Sequence, residues 1–403
     1  MISVSEALQI VIAHCPTPTP EQIDLARAMG RYLAQDVVAD SDLPPFDRSQ
    51  MDGYAVRAED TQRAPTTLRI VGESSAGKGW HGELQSGGAV RIMTGAPVPA
   101  GADSVQQVEL TRGGENDSVE IIEPVAEGRS IVRRGSEIEK GVTVLKKGDQ
   151  ITAAAMAVLA AFGYSQVLVG RKPRISVLAT GSELVPVDQK PGPEQIRDSN
   201  NYSIAAYGQL AGAEVERLPL AVDDPKQLLQ VISEAAETSD VVITSGGVSM
   251  GVYDFTKSAL RELGAEIFFE RVALRPGKPT VFGRLPNGCF VFGLPGNPVS
   301  VSVTFNLFAR TALLRMQGAR EPYLEIETAV LTRRAKGSVD RESYLPAKLR
   351  TSDEGQLLAE PLKWGGSSDF VNFVHSTALI IIPSGVKEVV EGTKVRIVKL
   401  PLI

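Results

Sequence analysis

The sequence predicts a multidomain α/β plus β protein. Its parts are a central α/β domain with a mostly parallel sheet, a β-rich insertion domain, a helical N-terminal domain closed by a later segment, and a small C-terminal β domain. Three observations carry this prediction. Between 172 and 319, short apolar runs alternate with stretches of helical spacing, the pattern of strands joined by helices. On either side, 44–139 and 320–403 hold short alternating runs broken by glycine, proline and polar clusters. Within the α/β stretch, three glycine loops follow apolar runs at close spacing: Ser245-Gly-Gly-Val-Ser-Met-Gly-Val-Tyr-Asp254, Arg275-Pro-Gly-Lys-Pro279 and Gly293-Leu-Pro-Gly-Asn-Pro-Val-Ser300. Glycine lets backbone N–H groups converge on an anion, and a following helix N-terminus adds partial positive charge. Three such loops so near one another point to one binding crevice at the strand ends.

Taken in order, residues 3–14 and 21–35 carry helical spacing, with Ser3 and Thr19 placed as caps and Pro20 where a first helical turn accepts proline. The insertion at 44–139 includes the β-like runs Thr67–Val71, Ala89–Met93 and Ser118–Ile122. The alanine-rich helix Ile151–Phe162 ends at Gly163. It is expected to pack on the N-terminal helices, so that 1–43 and 140–171 form one discontinuous domain. In the α/β domain, 172–319, strands are expected at Ile175–Ala179, Val215–Val222, Val241–Thr244, Ile267–Val272, Thr280–Gly283 and Cys289–Gly293. Helices are expected at Asn201–Leu210, Pro225–Glu237, from Thr256 to Leu263, and from Pro298 to Gly318 with Asn297 as N-cap. The closing domain, 320–403, holds the strands Leu324–Leu331 and Thr393–Val398.

Bulk properties narrow the function. At 403 residues the chain exceeds one ordinary core. Its net charge of −6 argues against general affinity for nucleic acid or an anionic membrane, so an anion site must be a local basic pocket. Cys15 and Cys289 lie far apart without metal-ligand spacing, which suits buried thiols in a reducing compartment. Only three scattered histidines are present, which disfavours a zinc site or a histidine-based triad. With no signal-like N-terminus and no apolar run of spanning length, a cytoplasmic location is expected.

Acids recur at strand ends: Glu183, Asp198, Asp223, Asp224 and Asp254. An oxygen-rich, histidine-poor set beside phosphate loops suits Mg²⁺. Asp224 precedes Pro225 and reads as a helix cap, whereas Asp223 and Asp254 are the candidate metal ligands. Lys278, in a tight turn between Gly277 and Pro279, is the candidate oxyanion binder, with Arg275 as a planar clamp. Gly246, Gly247, Ser249, Pro295, Asn297 and Pro298 are candidate substrate contacts from the loops, and Ser367 is one from the C-terminal domain. Two dense segments of the insertion, Pro44-Pro-Phe-Asp-Arg-Ser-Gln-Met-Asp-Gly-Tyr-Ala-Val-Arg57 and Arg91-Ile-Met-Thr-Gly-Ala-Pro-Val-Pro-Ala-Gly-Ala-Asp103, are not explained by periodicity.

In this order and along essentially the whole chain, these motifs resemble those of the molybdopterin molybdenumtransferase family, relatives of the C-terminal domain of gephyrin. The resemblance implies four domains and a homodimer with its active site shared between subunits. It also implies a reaction in which adenylylated molybdopterin and molybdate yield molybdenum cofactor and AMP, with Mg²⁺ required. Carried over by motif, the implied functional positions are Asp52, Thr94, Glu183, Asp223, Asp254, Lys278 and Ser367, with Asp52, Thr94, Glu183 and Lys278 catalytic. A molybdopterin adenylyltransferase is an expected partner. The chain departs from the family pattern at Val132-Arg-Arg-Gly-Ser-Glu137, usually Arg-Arg-Arg-Gly-Glu-Asp, at Arg275, often lysine, and at Met250, usually valine. The chemistry fits the basic loops: bringing a dianion to about 4 Å from phosphate at an effective dielectric of 20 costs roughly 8 kcal/mol, which cations must offset. Two rival readings are an adenylyltransferase, whose single-domain form lacks the flanking β domains, and a peptide-binding scaffold, which would call for appended linkers.

Overall fold

The computed structural model describes residues 1–16, 18–113, 116–220, 224–247 and 255–401. They divide into two units: Met1–Gln35, Lys147–Ala153 and Gln166–Ile403 in one, and Asp36–Lys146 with Ala154–Ser165 in the other.

The larger unit is built on a six-stranded sheet. Its elements, in chain order, are β1 (Arg174–Ala179), α1 (Asn200–Leu210), β2 (Glu214–Arg217), α2 (Pro225–Thr238), β3 (Val241–Ser245), α3 (Phe255–Glu262), β4 (Glu266–Phe269), β5 (Val281–Arg284), β6 (Phe290–Leu294) and α4 (Pro298–Thr304). The strand order is β2-β1-β3-β6-β5-β4. The pairs β2–β1, β1–β3 and β3–β6 are parallel, and β5 and β4 add an antiparallel edge. Alternate side chains feed two apolar layers, as a period of two requires. On one face Ile175, Val177, Val241, Ile243 and Phe292 pack with Ile204 of α1 and the helical run after Asn297. On the other, Leu178, Val242 and Val291 meet Leu228 and Ile232 of α2 and Leu260 of α3. Buried on both faces, these strands read as near-continuous apolar runs.

Caps behave as their sequences predict at two helices. Ser3 and Glu6 form a reciprocal capping box on Val4–His14, and the Asp224 carboxylate accepts from Gln227 N at 2.9 Å. Cys15 and Cys289 are buried, and burial pushes both thiols up to about 12. They stay protonated, as the reading of both as small hydrophobes expects.

Four local expectations are corrected. Residues 21–35 do not form a helix: Pro20–Asp24 is a strand paired antiparallel with Gln166–Gly170, followed by a short 3-10 turn at Leu25–Arg27. A non-local partner overrides a weak helical propensity, and Pro20 sits at the first strand position, where its missing N–H is tolerated. The N-terminal segment therefore holds one long helix, whose Val4, Ala7 and Val11 join the α/β core. The alanine-rich helix Ala153–Ala161 clusters instead with residues 36–146, where the Tyr164 hydroxyl bridges the backbone N–H and carbonyl of Val38. Finally, the run after Asn297 passes through a π-helical turn, Phe305–Ala309, before Arg310–Met316.

The C-terminal part of the same unit is a closed barrel. Strand Glu342–Thr351 pairs with both Leu357–Pro361 and Ala378–Ile382, and Ile326–Leu331 with Lys394–Lys399 completes the ring. Its interior is filled by residues such as Leu331, Leu345, Ile380 and Ile397. Closure pairs the barrel's own strand edges, and Leu274–Arg275 adds in parallel to Glu342–Ser343 at the rim. That pairing fastens the loop carrying Arg275 and Lys278 to the barrel.

The smaller unit centres on a six-stranded sheet in which only Thr66–Ser74 and Gly88–Ile92 pair in parallel. Its two dense motifs are hydrogen-bonded to each other: Ser49 N donates to Ala96 O and Gly95 N to Ser49 O. Arg133 pairs with Asp47, Arg134 with Asp42, and Glu137 with Arg48. The basic pair thus secures the Pro44–Arg57 segment, which accounts for Arg133 and Glu137 structurally.

Candidate active site

The sheet brings the glycine loops together because β3 and β6 are parallel neighbours ending at the same edge. The Gly246 N–H donates to Leu294 O at 3.2 Å, joining the first loop to the third. Asn200, at the start of α1, strengthens the join: its Nδ2 donates to Ser245 Oγ at 2.8 Å and to Gly296 O at 2.6 Å. Two donated bonds to different loops fix the amide's orientation. Gly246 and Gly247 have φ of +93° and +64°. A Cβ on Gly246 would lie 2.2 Å from Thr180 O, so no side chain fits there.

The second loop is shaped the same way. Gly277 has φ +116°, and a Cβ would meet Thr304 Cγ2 at 2.5 Å. The Lys278 carbonyl accepts from Val272 N at 3.0 Å and Thr280 N at 3.1 Å, so its backbone is held on both sides. Its half-buried ammonium has no hydrogen-bond or ion-pair partner among the described residues. Arg275 donates through Nη1 to Gly337 O at 3.1 Å, tying the loop to the barrel a second time. From the barrel side, Asn297 Nδ2 donates to Ser367 Oγ at 2.8 Å, and Val299 N donates to Ser367 O at 3.0 Å. Asn297 occupies the N-cap position of α4, as expected, but its side chain caps nothing because Ser367 engages it.

These loops enclose a cavity of about 1430 Å³. Of the residues singled out in the sequence, Glu183, Gly246, Gly247, Arg275, Lys278, Pro295, Asn297, Pro298 and Ser367 all line it. The Glu183 carboxylate folds back over Gly181, where an added Cβ would lie 2.6 Å from Oε2. Ser249, Asp223 and Asp254 lie outside the described residues. Asp52 and Thr94 are in the smaller unit and contact each other: Asp52 Oδ1 accepts from Thr94 N at 2.6 Å and Thr94 Oγ1 at 2.8 Å. The backbone N–H and then the hydroxyl of Thr94 hold the Asp52 carboxyl below the usual aspartate range.

Sequence reasoning missed Asn200 and four cations. Among the described residues, Arg197, Arg334, Lys336 and Arg341 line the cavity with Arg275 and Lys278, against Glu183 and Asp198 among acids. Arg333-Arg-Ala-Lys336, a dense basic stretch in an acidic chain, was the available signal. Asp198 is not a free acid: it is buried and accepts from Asn201 N at 3.1 Å. Burial pushes its carboxyl up despite that bond, so it serves the first turn of α1. Among the described residues, no cluster of three or more metal-ligating acids, histidines or cysteines is present. Among the described residues the cavity lining holds no histidine or cysteine and does hold carboxylate and hydroxyl oxygens, the ligand type of a hard cation. No helix among the described residues is long and apolar enough to cross a membrane.

An α/β body with glycine loops at its strand ends, bordered by a barrel, has the layout of an anion-binding α/β protein. Residues 176–315 match a family described as "Probable molybdopterin binding domain". Residues 2–163 match the MoeA N-terminal region, domains I and II, and 328–400 match the MoeA C-terminal region, domain IV. The chain is 35% identical to the molybdopterin molybdenumtransferase of Haemophilus influenzae, covering 98% of both chains. It is 36% identical to that of a Nostoc species over 100% of this chain and 94% of the relative. A solved MoeA molybdopterin biosynthesis protein from Pyrococcus horikoshii superposes with a TM-score of 0.81 at 34% identity, covering 99% of each chain. The chain belongs to the molybdopterin molybdenumtransferase family, enzymes of molybdenum cofactor biosynthesis.

Proposed function

We propose that the crevice inserts molybdate into adenylylated molybdopterin with release of AMP, and that the reaction requires Mg²⁺. The observation that carries this reading is the Lys278 ammonium, without a partner among the described residues and held between glycine loops in a cavity lined by several cations. Lys278 and the remaining donors of Arg275 offset the charge of the incoming oxyanion. Backbone N–H groups of the glycine loops and the N-terminus of α4 add fixed positive potential. Glu183, exposed at the cavity wall, orients the water that cleaves the phosphoanhydride link and accepts its proton. AMP departs with the electrons of the broken P–O bond. Asp223 and Asp254 would hold Mg²⁺, which when bound offsets the charge developing on the departing phosphate. The absence of histidine and cysteine from the described lining of the crevice supports that choice of ion.

The test is AMP release from adenylylated molybdopterin, measured with and without molybdate and Mg²⁺. Release is expected only with all components present, and chelation should abolish it. Asp254→Asn should lower the rate at least about 100-fold at unchanged thermal stability, because asparagine keeps the volume and loses the charge that holds the ion. Normal turnover by that variant would sink the metal assignment, and formation of adenylylated molybdopterin from ATP would point to an adenylyltransferase instead.

We also propose a homodimer in which Asp52 of one subunit serves the crevice of its partner, with a cytoplasmic setting and a molybdopterin adenylyltransferase as supplier of substrate. The support is the motif resemblance and the two-fold symmetry that most homo-oligomers adopt. Inactive Asp52→Ala and Asp254→Ala chains, mixed and allowed to exchange, should regain activity, because each heterodimer holds one intact site. If activity stays at the parental level after exchange is verified by mass, the shared site is wrong.

A further inference from the structure

We propose that Arg334 and Lys336 form a second anion subsite in the crevice, one that takes the phosphate of the nucleotide half of the substrate. Lys278 and Arg275 then serve the metal oxyanion. The proposal rests on the reading of the crevice given above and adds a division of labour between its walls.

The cavity, about 1430 Å³, exceeds the roughly 300–1,000 Å³ of ordinary small-molecule sites. It suits an extended ligand with more than one charged group. Lys336 lies on a short strand, Ala335–Lys336, that pairs antiparallel with Glu388–Val389 in a two-stranded sheet separate from the barrel, and Arg334 immediately precedes that strand. Ala335 is buried, so alternation along the strand places both cations on the opposite, exposed face. Both line the cavity. Among the described residues neither has an ion-pair or hydrogen-bond partner from its side chain. Their neighbours are occupied: Arg333 pairs with Glu360 at 2.9 Å, and Arg341 with Asp340 at 3.2 Å. Glu388 stands opposite Lys336 in register yet forms no ion pair with it. Two adjacent unpaired cations repel one another, and an anion between them relieves that repulsion. A guanidinium also offers the forked donors that phosphate oxygens accept.

The two cationic groups are held in one rigid frame. The Arg275–Gly337 hydrogen bond fastens the residue after Lys336 to the loop carrying Lys278. The pairing of Leu274–Arg275 with Glu342–Ser343 fastens the same loop to the barrel. A ligand that spans both groups is thus met at two points on segments bonded to one another.

The experiment measures AMP, adenosine and molybdate binding to the full-length protein by calorimetry. Wild-type protein is expected to bind AMP more tightly than adenosine. Arg334→Ala/Lys336→Ala should weaken AMP about 10- to 100-fold while changing adenosine and molybdate affinity less than about twofold. Lys278→Ala should show the reverse selectivity. The exchanged pair Arg334→Lys/Lys336→Arg should restore most AMP affinity, because both charges remain. Unchanged AMP affinity in the double alanine variant would overturn the subsite. So would an equal loss of AMP and molybdate binding, which would mean one diffuse basic field. A wild type that binds AMP through these residues but releases none from adenylylated molybdopterin would instead overturn the proposed reaction and leave the subsite standing.

Discussion

Replacing Lys278 with alanine is expected to raise the molybdate concentration for half-maximal turnover roughly 100-fold, with little change in stability. The residue is suited to such a test because its structural and chemical parts are separable. The backbone is held by Val272 and Thr280 through the Lys278 carbonyl, and alanine keeps those bonds. The ammonium makes no hydrogen bond or ion pair among the described residues, so alanine removes none of the contacts seen there. What alanine removes is a positive charge in a recess, where solvent screens it less than at a surface. Added salt should therefore weaken molybdate use by the wild type more than by the variant. Turnover as a function of molybdate, measured at two ionic strengths, checks this. Equal molybdate dependence of the two proteins would refute the role given to Lys278.

Gly246→Ala is expected to cost about 2–5 kcal/mol and to abolish activity, a structural effect in contrast to the electrostatic one above. Two costs add. The backbone at Gly246 has φ +93°, which strains any residue bearing a Cβ. The new methyl would also lie 2.2 Å from the Thr180 carbonyl. That carbonyl has no easy retreat: Thr180 follows β1, and its N–H donates to Ser245 O at 3.0 Å. Moving it disturbs the join of β1 and β3 on which the loop stands. Gly288→Ala is the matched control, with φ +91° and no atom within 4 Å of the point where its Cβ would stand. It should lose only the strain component, about 1–2 kcal/mol. Thermal or denaturant unfolding of both variants separates the terms. Similar losses at the two positions would show that the contact with Thr180 relaxes freely.

Much of this architecture was legible because its signals are local. The parallel strands of the α/β body are buried on both faces, so Ile175–Ala179 and Val241–Thr244 stand out as near-continuous apolar runs. The glycine loops were visible for the same reason: the positive φ at Gly246, Gly247 and Gly277 is a demand that few other residues meet. Ser3 and Asp224 were readable as caps because a cap bonds to a backbone N–H within one turn.

The remaining features depend on which distant segments meet, and a single chain does not display that. Pro20–Asp24 carries helical spacing but lies opposite Gln166–Gly170, and the ladder it gains there outweighs its local preference. Asn297 has the chemistry of an N-cap, yet Ser367, seventy residues away, takes its side chain. The crevice cations show the limit most clearly. By sequence, Arg334 and Lys336 belong to a short basic stretch, which says nothing of which way the charges face. They line the cavity on a segment that Arg275 holds through Gly337, beside the barrel strand that Leu274–Arg275 joins. Residue type and spacing determined the anion loops and the family they resemble, since both are written in backbone sterics and short-range periodicity. The tertiary structure decided which charges face the cavity, because that depends on pairings between segments far apart in the chain.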